Sequence, residues 1–329
     1  EMTSSLVGSE MCIRDSNLNH RFDTHFDFHN IIMTVGAAGG LNIIFKTILD
    51  PGDEVLVFAP YFGEYNSYAA NFDAKTVAVH PDPETFQPDL GDFAAKFTEK
   101  TKAVIINTPN NPTGVVYSDA TLEAIADILK EKQKAYKKEI YLVSDEPYRE
   151  LVYDGQKENF LTKYYENTIV GYSFSKSLSL PGERIGYVVV PNEVADADTV
   201  IAGINVSNRT LGFVNAPSLI QLAVAECLEE KTDVAYYDKN RTRLYEALTG
   251  YGYTCIKPEG AFYMWVKSPD EDEDRFVEQA KKYHLILVKG GAFCWPGYVR
   301  IAYCVSYDTI ERSLPAFEKL AEEYQLSGK

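Results

Sequence analysis

AVIINTPNNPTG, residues 103–114, is the stretch of the chain that decides the fold. Its first four residues, Ala103–Ile106, are aliphatic without a break, which is typical of a strand buried on both faces of a sheet. The polar segment that follows, Asn107–Gly114, is rich in asparagine and proline and indicates a turn. We therefore predict a buried strand whose carboxyl end opens into a polar loop.

The same apolar texture recurs along the first two thirds of the chain. The other strand-like runs are Ile31–Val35, Val55–Phe58, Thr76–Val79, Ile140–Val143, Ile169–Tyr172 and Ile185–Val190. Helical segments lie between several of them; the clearest is Asp119–Lys138, which has apolar residues at helical spacing and Ser118 as its N-cap. Strands that alternate with helices predict an α/β fold with a mostly parallel seven-stranded sheet sandwiched by helices.

After Pro217 the pattern changes to one of a smaller α+β C-terminal domain. Helices are predicted at Leu219–Glu230, Asp233–Gly250, Arg275–Tyr283 and Asp308–Tyr324, and strands at Tyr253–Ile256, Phe262–Val266, Leu285–Val288 and Val299–Tyr303. We expect a large domain over residues 17–230 and a small domain over 231–329. Residues 1–16 lack periodicity, and we expect a tail there that is foreign to the fold or disordered.

Composition and charge exclude several classes of protein. The 329 residues carry a formal net charge of −16, and an acidic surface repels phosphate backbones, so no nucleic-acid partner is expected. No run approaches the roughly 18 apolar residues of a membrane span, so no membrane partner is expected. The five scattered cysteines form no CxxC motif and indicate reduced thiols in the cytoplasm. The five histidines show no ligand spacing, and no metal is assigned.

Unusual polar residues follow five of the predicted strands. Ligands of open α/β sheets bind beyond the carboxyl ends of the strands, so these loops could converge on one site. The loops are Gly36–Gly40, Pro60–Phe62, Asn107–Gly114, Ser144–Tyr148 and Ser173–Lys176. Alone, each feature has a plain structural explanation, because Lys176 could be a surface lysine and Asp145 a loop cap. Their conjunction, each after a strand, is far more specific.

Four ordered features resemble a known family. They are NNPTG (Asn110–Gly114), DEPY (Asp145–Tyr148), SFSKS (Ser173–Ser177) with Arg184 eight residues after the lysine, and a late Arg300. In this order they resemble the class I and II aminotransferases, which are pyridoxal 5'-phosphate enzymes of the aspartate aminotransferase fold. The resemblance covers about residues 30–325 and implies pyridoxal phosphate as the cofactor.

The resemblance implies a role for each residue near the cofactor ring. Lys176 would form the Schiff base and then act as general acid and base. Asp145 would face the pyridine nitrogen and keep it protonated, while Tyr148 and Asn111 would hydrogen-bond the phenolic oxygen. Phe62 would stack on the ring face.

Further residues would hold the two anionic groups. The cofactor phosphate would lie on the backbone amides of Gly36, Ala37 and Ala38, with Ser173 and Arg184 adding a hydroxyl and a bidentate guanidinium. The substrate α-carboxylate would bind Arg300, with Asn111 also lining the substrate site.

Two departures from the family pattern affect the substrate and the assembly. A homodimer is expected, but the family's N-terminal segment, which supplies a tyrosine to the partner subunit, is absent from this sequence, so we expect weakened dimer contacts. In addition, Thr210 rather than Arg209 stands where aspartate-type members have an arginine for the side-chain carboxylate. Dicarboxylate specificity therefore does not carry over, although Arg209 could reach the site by a shifted path.

Three functions remain open on the sequence alone. The leading one is an aminotransferase that moves an amino group between an L-amino acid and a 2-oxo acid. A β-eliminating carbon–sulfur lyase of the same fold would use the same lysine and aspartate. A non-catalytic module that senses pyridoxal phosphate or amino acids is the third.

Overall fold

A computed structural model describes residues 17–326, and the tail predicted over residues 1–16 lies outside this range. Seven strands form the large sheet: β1 Ile31–Thr34, β2 Glu54–Phe58, β3 Lys75–Val79, β4 Thr101–Asn107, β5 Tyr141–Asp145, β6 Thr168–Ser173 and β7 Gly186–Val189. Their order across the sheet is β1-β7-β6-β5-β4-β2-β3. The paired strands from β6 to β3 are parallel, whereas β7 is antiparallel to both of its neighbours.

Helices cover both faces of the large sheet. They are α1 Gly36–Ile48, α2 Glu64–Ala70, α3 Leu90–Lys96, α4 Asp119–Tyr136, α5 Phe174–Ser177, α6 Ala197–Thr210 and α7 Ser218–Ala225, and residues 17–22 are also helical. Along β2, Val55 and Val57 pack in the same cluster as α1, while Leu56 and Phe58 pack with α4. Both faces of the strand are buried, which explains its unbroken apolar run.

A second, antiparallel sheet lies in the C-terminal part of the chain. Its strands are β8 Cys255–Ile256, β9 Tyr263–Lys267, β10 Val288–Lys289 and β11 Tyr298–Ala302, in the order β10-β11-β9-β8. Its helices are α8 Val234–Gly250, α9 Glu273–Lys281 and α10 Tyr307–Glu323. The predicted fold class is confirmed, and the predicted division at residues 230 and 231 stays a prediction.

One long helix, α6, has no counterpart among the predicted elements. Its sequence contains Gly203, two asparagines and several β-branched residues, all of which lower helix propensity. Packing explains why it forms, because a Cβ on Gly203 would lie only 2.7 Å from Cγ2 of Thr47 on α1. The glycine lets α6 approach α1 closely. In the described part of the chain, no helix is long and apolar enough to cross a membrane.

Candidate active site

The sheet topology brings several polar loops to one edge. Asn107 ends β4, Asp145 ends β5 beside it, and Ser173 ends β6. Because β7 runs in the opposite direction, its first residue, Gly186, pairs with Ser173 at this same edge. Arg184 comes two residues before that pair. Strand direction therefore places a guanidinium among groups that follow the ends of parallel strands.

A cavity of about 390 Å³ opens at this edge and is of the size that takes a small ligand. Of the residues predicted for the site, all but Gly36 line it: Ala37, Ala38, Phe62, Asn111, Asp145, Tyr148, Ser173, Lys176, Arg184 and Arg300. The structure thus brings the predicted residues together. Their individual roles stay predictions at this point.

Gly36 packs against the guanidinium of Arg184. Its φ is +77°, and a Cβ there would lie 2.9 Å from Nη2 of Arg184, so a side chain would displace the guanidinium. Nη1 of Arg184 donates to the carbonyl of Pro181 at 2.7 Å. The first turn of α1, which begins at Gly36, carries no acidic residue. The helix N-terminus and the exposed guanidinium together suit an anion such as a phosphate.

Asp145 lines the cavity and is buried, with one oxygen that has no hydrogen-bond partner. Its Oδ2 accepts a hydrogen bond of 2.6 Å from the Tyr65 hydroxyl, whereas Oδ1 has no hydrogen-bond partner. Burial raises the pKa of Asp145 to about 7; the bond from Tyr65 opposes this, and the charge of Glu146 adds to it. A buried carboxylate with a free oxygen fits a ligand that supplies a positive N–H group.

Lys176 lies on the short helix α5, which Ser173 caps. Its Nζ lies 5.3 Å from the centroid of the Phe262 ring, and the side chain is half-buried. Burial lowers the pKa of Lys176; the nearby Cys304 opposes this, and the charges of Arg300 and Arg184 add to it. A lowered pKa leaves more of the amine neutral, the form that attacks a carbonyl.

Arg300 on β11 links the second sheet to the first. Its Nη1 donates to Oδ1 of Asn111 at 2.7 Å, and its guanidinium lies 4.2 Å from the centroid of the Tyr263 ring. The hydroxyls of Tyr148 and Tyr263 share a hydrogen bond of 3.0 Å. Nε of Arg300 is buried and has no hydrogen-bond partner. Arg300 therefore lines the cavity with N–H groups that can still donate hydrogen bonds to a ligand.

Several residues of the site were not predicted from the sequence. Asn107 donates to the carbonyl of Asp145 at 2.9 Å and accepts from the amide of Asn111 at 2.7 Å, so it ties two loops together. Its position at a strand end beside Asp145 is a signal that could have identified it. Tyr65 and Tyr263 carry no such signal, because one lies in a seven-residue helix and the other comes from the second sheet.

Two residues considered for a side-chain carboxylate lie elsewhere. Arg209 and Thr210 end α6, and both are exposed and absent from the cavity wall. Among residues 17–326, no group of three or more histidine, cysteine, aspartate or glutamate side chains is placed to hold a metal ion.

Comparison with known proteins identifies the family of this site. The model for aminotransferases of class I and II matches residues 18–317. The chain belongs to this family. The aminotransferase is 33% identical over 300 residues to the aspartate/prephenate aminotransferase of Thermus thermophilus, covering 88% of this chain and 74% of the relative. It is 32% identical over 310 residues to the aspartate aminotransferase of Thermotoga maritima, covering 92% and 78%.

Solved structures agree with the sequence relatives. An amino transferase from Eubacterium rectale superposes with a TM-score of 0.93 at 46% identity, covering 96% of this chain and 79% of the other. The aspartate aminotransferase of Thermus thermophilus with maleate gives a TM-score of 0.85 at 29% identity, covering 94% and 81%. The protein is therefore a pyridoxal-phosphate-dependent aminotransferase.

The residues of this aminotransferase fit its cofactor. The unpartnered Oδ1 of Asp145 lacks the donor that a protonated pyridine nitrogen would supply. Because Gly36 has no side chain, the Arg184 guanidinium fits beside the N-terminus of α1, where a phosphate would be bound. Lys176 lines the same cavity. A carboxylate, a phosphate cradle and an amine are the three partners that pyridoxal phosphate requires.

The raised pKa of Asp145 predicts a pH-dependent stability of the cofactor-free protein. The folded state binds this proton up to about pH 7, whereas the unfolded carboxyl loses it near 3.8. Stability therefore falls as pH rises between these values, by at most about 4 kcal/mol, and stays level above pH 7. Asp145→Asn should abolish this dependence. The melting temperature of the variant minus that of the wild type should therefore be several degrees larger at pH 8 than at pH 5. The same difference in melting temperature at both pH values would contradict a raised pKa of Asp145.

Proposed function

We propose that this aminotransferase moves the amino group of an L-amino acid to a 2-oxo acid, with Lys176 as the residue that binds the cofactor and transfers the proton. One observation carries the proposal. Lys176, Asp145 and Arg300 line one cavity, and Oδ1 of Asp145 is buried there without a hydrogen-bond partner. When bound, pyridoxal phosphate supplies an aldehyde that joins an amine as a Schiff base and a ring that withdraws electrons from the adjacent carbon.

Each side chain at the cavity is proposed to have a separate role in the reaction. Lys176, with its lowered pKa, releases and accepts a proton at Nζ. Asp145 holds a proton at the ring nitrogen through Oδ1, in a position where burial strengthens the ion pair. Tyr148 and Asn111, which line the cavity, would hydrogen-bond the phenolic oxygen of the ring, and Phe62 would stack on one of its faces.

The cofactor phosphate is proposed to lie at the N-terminus of α1, where backbone amides and two side chains can donate hydrogen bonds. The backbone amides of Ala37 and Ala38 belong to the first turn of α1. Ser173 and Arg184 line the same cavity. Gly36 contributes by having no side chain beside the guanidinium. These residues would hold the phosphate in the same cavity that Lys176 lines.

Arg300 is proposed to bind the α-carboxylate of both substrates. We expect Arg300→Gln to raise KM for the amino acid about 10- to 100-fold with a smaller change in kcat, because a charge-assisted hydrogen bond contributes about 1.5–3 kcal/mol. Steady-state kinetics measures both constants. Arg209→Gln is the matched control, since Arg209 is exposed and lies outside the cavity wall, and its KM should stay at the wild-type value. A KM that rises equally in both variants contradicts the proposal.

A screen of amino donors against 2-oxo acid acceptors tests the reaction itself. It should include aspartate, because two of the relatives are aspartate aminotransferases. Transamination requires an acceptor for sustained turnover. Release of pyruvate and ammonia without an acceptor would show a β-eliminating lyase instead.

The assembly and compartment follow as further parts of this proposal. Four exposed apolar side chains lie on and between α6 and α7, and Leu219 is 74% exposed. Exposed apolar surface of this kind favours a second copy of the chain; the four residues are Val206, Val214, Leu219 and Leu222. Sedimentation velocity tests the homodimer. The cysteines of the described residues are unpaired, which supports a cytoplasmic location.

A further inference from the structure

We propose that Tyr65 is a positioning residue that sets both the acid and the aromatic wall of the cofactor site, an inference that rests on the function proposed above. Its hydroxyl donates to Oδ2 of Asp145 at 2.6 Å, and its ring meets that of Phe62 edge to face. One buried tyrosine thus contacts the two groups assigned to the edge and the face of the cofactor ring.

The hydrogen bond determines which oxygen of Asp145 faces the cofactor. Tyr65 is 1% exposed and Asp145 is 5% exposed, so water does not replace this bond. Among the described residues, Tyr65 supplies the hydrogen bond made to the Asp145 side chain, while Asn107 bonds only its backbone carbonyl. With Oδ2 committed to the phenol, rotation of the carboxylate is restricted and Oδ1 is left for the ring nitrogen.

The same tyrosine fixes the tilt of Phe62. The two ring centroids lie 5.7 Å apart at an interplanar angle of 81°, a favourable edge-to-face arrangement. On another side, Tyr61 lies parallel to Tyr65 at 6.3 Å. Tyr65 begins the buried face of α2, so the helix anchors this aromatic set. Phe62 alone is half-buried and has no polar group that would orient it.

Tyr65→Phe separates the hydrogen bond from the packing, because phenylalanine keeps the ring. In the full chain loaded with cofactor, we expect kcat to fall about tenfold while KM for the amino acid changes less than about twofold, since Arg300 is untouched. The dissociation constant of pyridoxal phosphate, measured by titrating cofactor-free protein and following protein fluorescence, should rise about tenfold. The visible absorbance of the bound cofactor should also change, because the ring nitrogen loses a fixed partner.

Tyr61→Phe is the matched control. It removes a neighbouring phenol that donates to Asn66 at 3.0 Å and does not contact Asp145. Cofactor affinity, absorbance and kcat should stay at wild-type values in this variant. Wild-type values in Tyr65→Phe would show that Tyr65 has only a packing role, and equal losses in both variants would show that the bond to Asp145 is not the cause; either result would overturn the inference.

A double variant gives a second test that does not depend on activity. If Tyr65 acts through Asp145, adding Tyr65→Phe to Asp145→Asn should weaken cofactor binding by less than about threefold, because the acceptor is no longer charged. A further tenfold loss in that background would overturn the inference. Wild-type protein without transamination in the donor screen would instead contradict the proposed function, so the two failures are distinguishable.

Discussion

Replacing Lys176 with alanine is expected to lower turnover by at least about 10⁴-fold, because the variant lacks both the amine that joins the cofactor and the group that transfers the proton. Lys176 is half-buried at the cavity, and burial lowers the pKa of its amine. Borohydride reduction followed by mass spectrometry measures the covalent attachment. The wild type should gain the mass of the reduced cofactor at Lys176, and the variant should gain none.

Lys46→Ala provides the control for this experiment. Lys46 is an exposed lysine near the end of α1 whose Nζ lies over the Phe72 ring, away from the cavity. This variant should keep wild-type turnover and the reducible adduct. Full turnover with a reducible adduct in Lys176→Ala would reject the assignment of the Schiff-base lysine.

Asp145→Asn is expected to retain the cofactor but lose at least about 10³-fold in kcat. The neutral amide no longer stabilises a proton on the ring nitrogen, so the ring withdraws electrons less strongly. Absorbance measures the occupancy, and steady-state kinetics gives kcat. Asp127→Asn, an exposed position on α4, should behave as the wild type. Wild-type turnover in Asp145→Asn would reject the proposed role.

The location of Asp145 and Lys176 could be predicted because each follows a buried strand directly. The carboxyl ends of parallel strands share one edge, so strand order along the chain suffices to bring these residues together. Arg184 differs, since it precedes β7, and its place at the same edge depends on β7 running antiparallel. A hydrophobic run carries no information on strand direction, so this residue was predicted through the family resemblance.

Other features were not predicted because they depend on tertiary packing. Tyr65 lies in a helix of seven residues, too short for a helical period to be recognised. The run Leu285–Val288 was predicted as a strand, but the strand is Val288–Lys289, and Leu285 and Leu287 are buried outside it. An apolar run reports burial, whereas a strand also requires a hydrogen-bonding neighbour. β11, the strand that holds Arg300, has two such neighbours, β10 and β9.

The bond between Arg300 and Asn111 has a practical consequence for handling the enzyme. The guanidinium is already oriented by Asn111 and the Tyr263 ring, and it would bind a carboxylate whatever carbon skeleton carries it. We therefore expect acetate or formate buffers to compete with amino acids at Arg300. By the same reasoning, phosphate buffers should compete with the cofactor phosphate at Arg184. Purification and assay in a buffer free of small oxyanions should give the tightest cofactor loading and the lowest apparent KM.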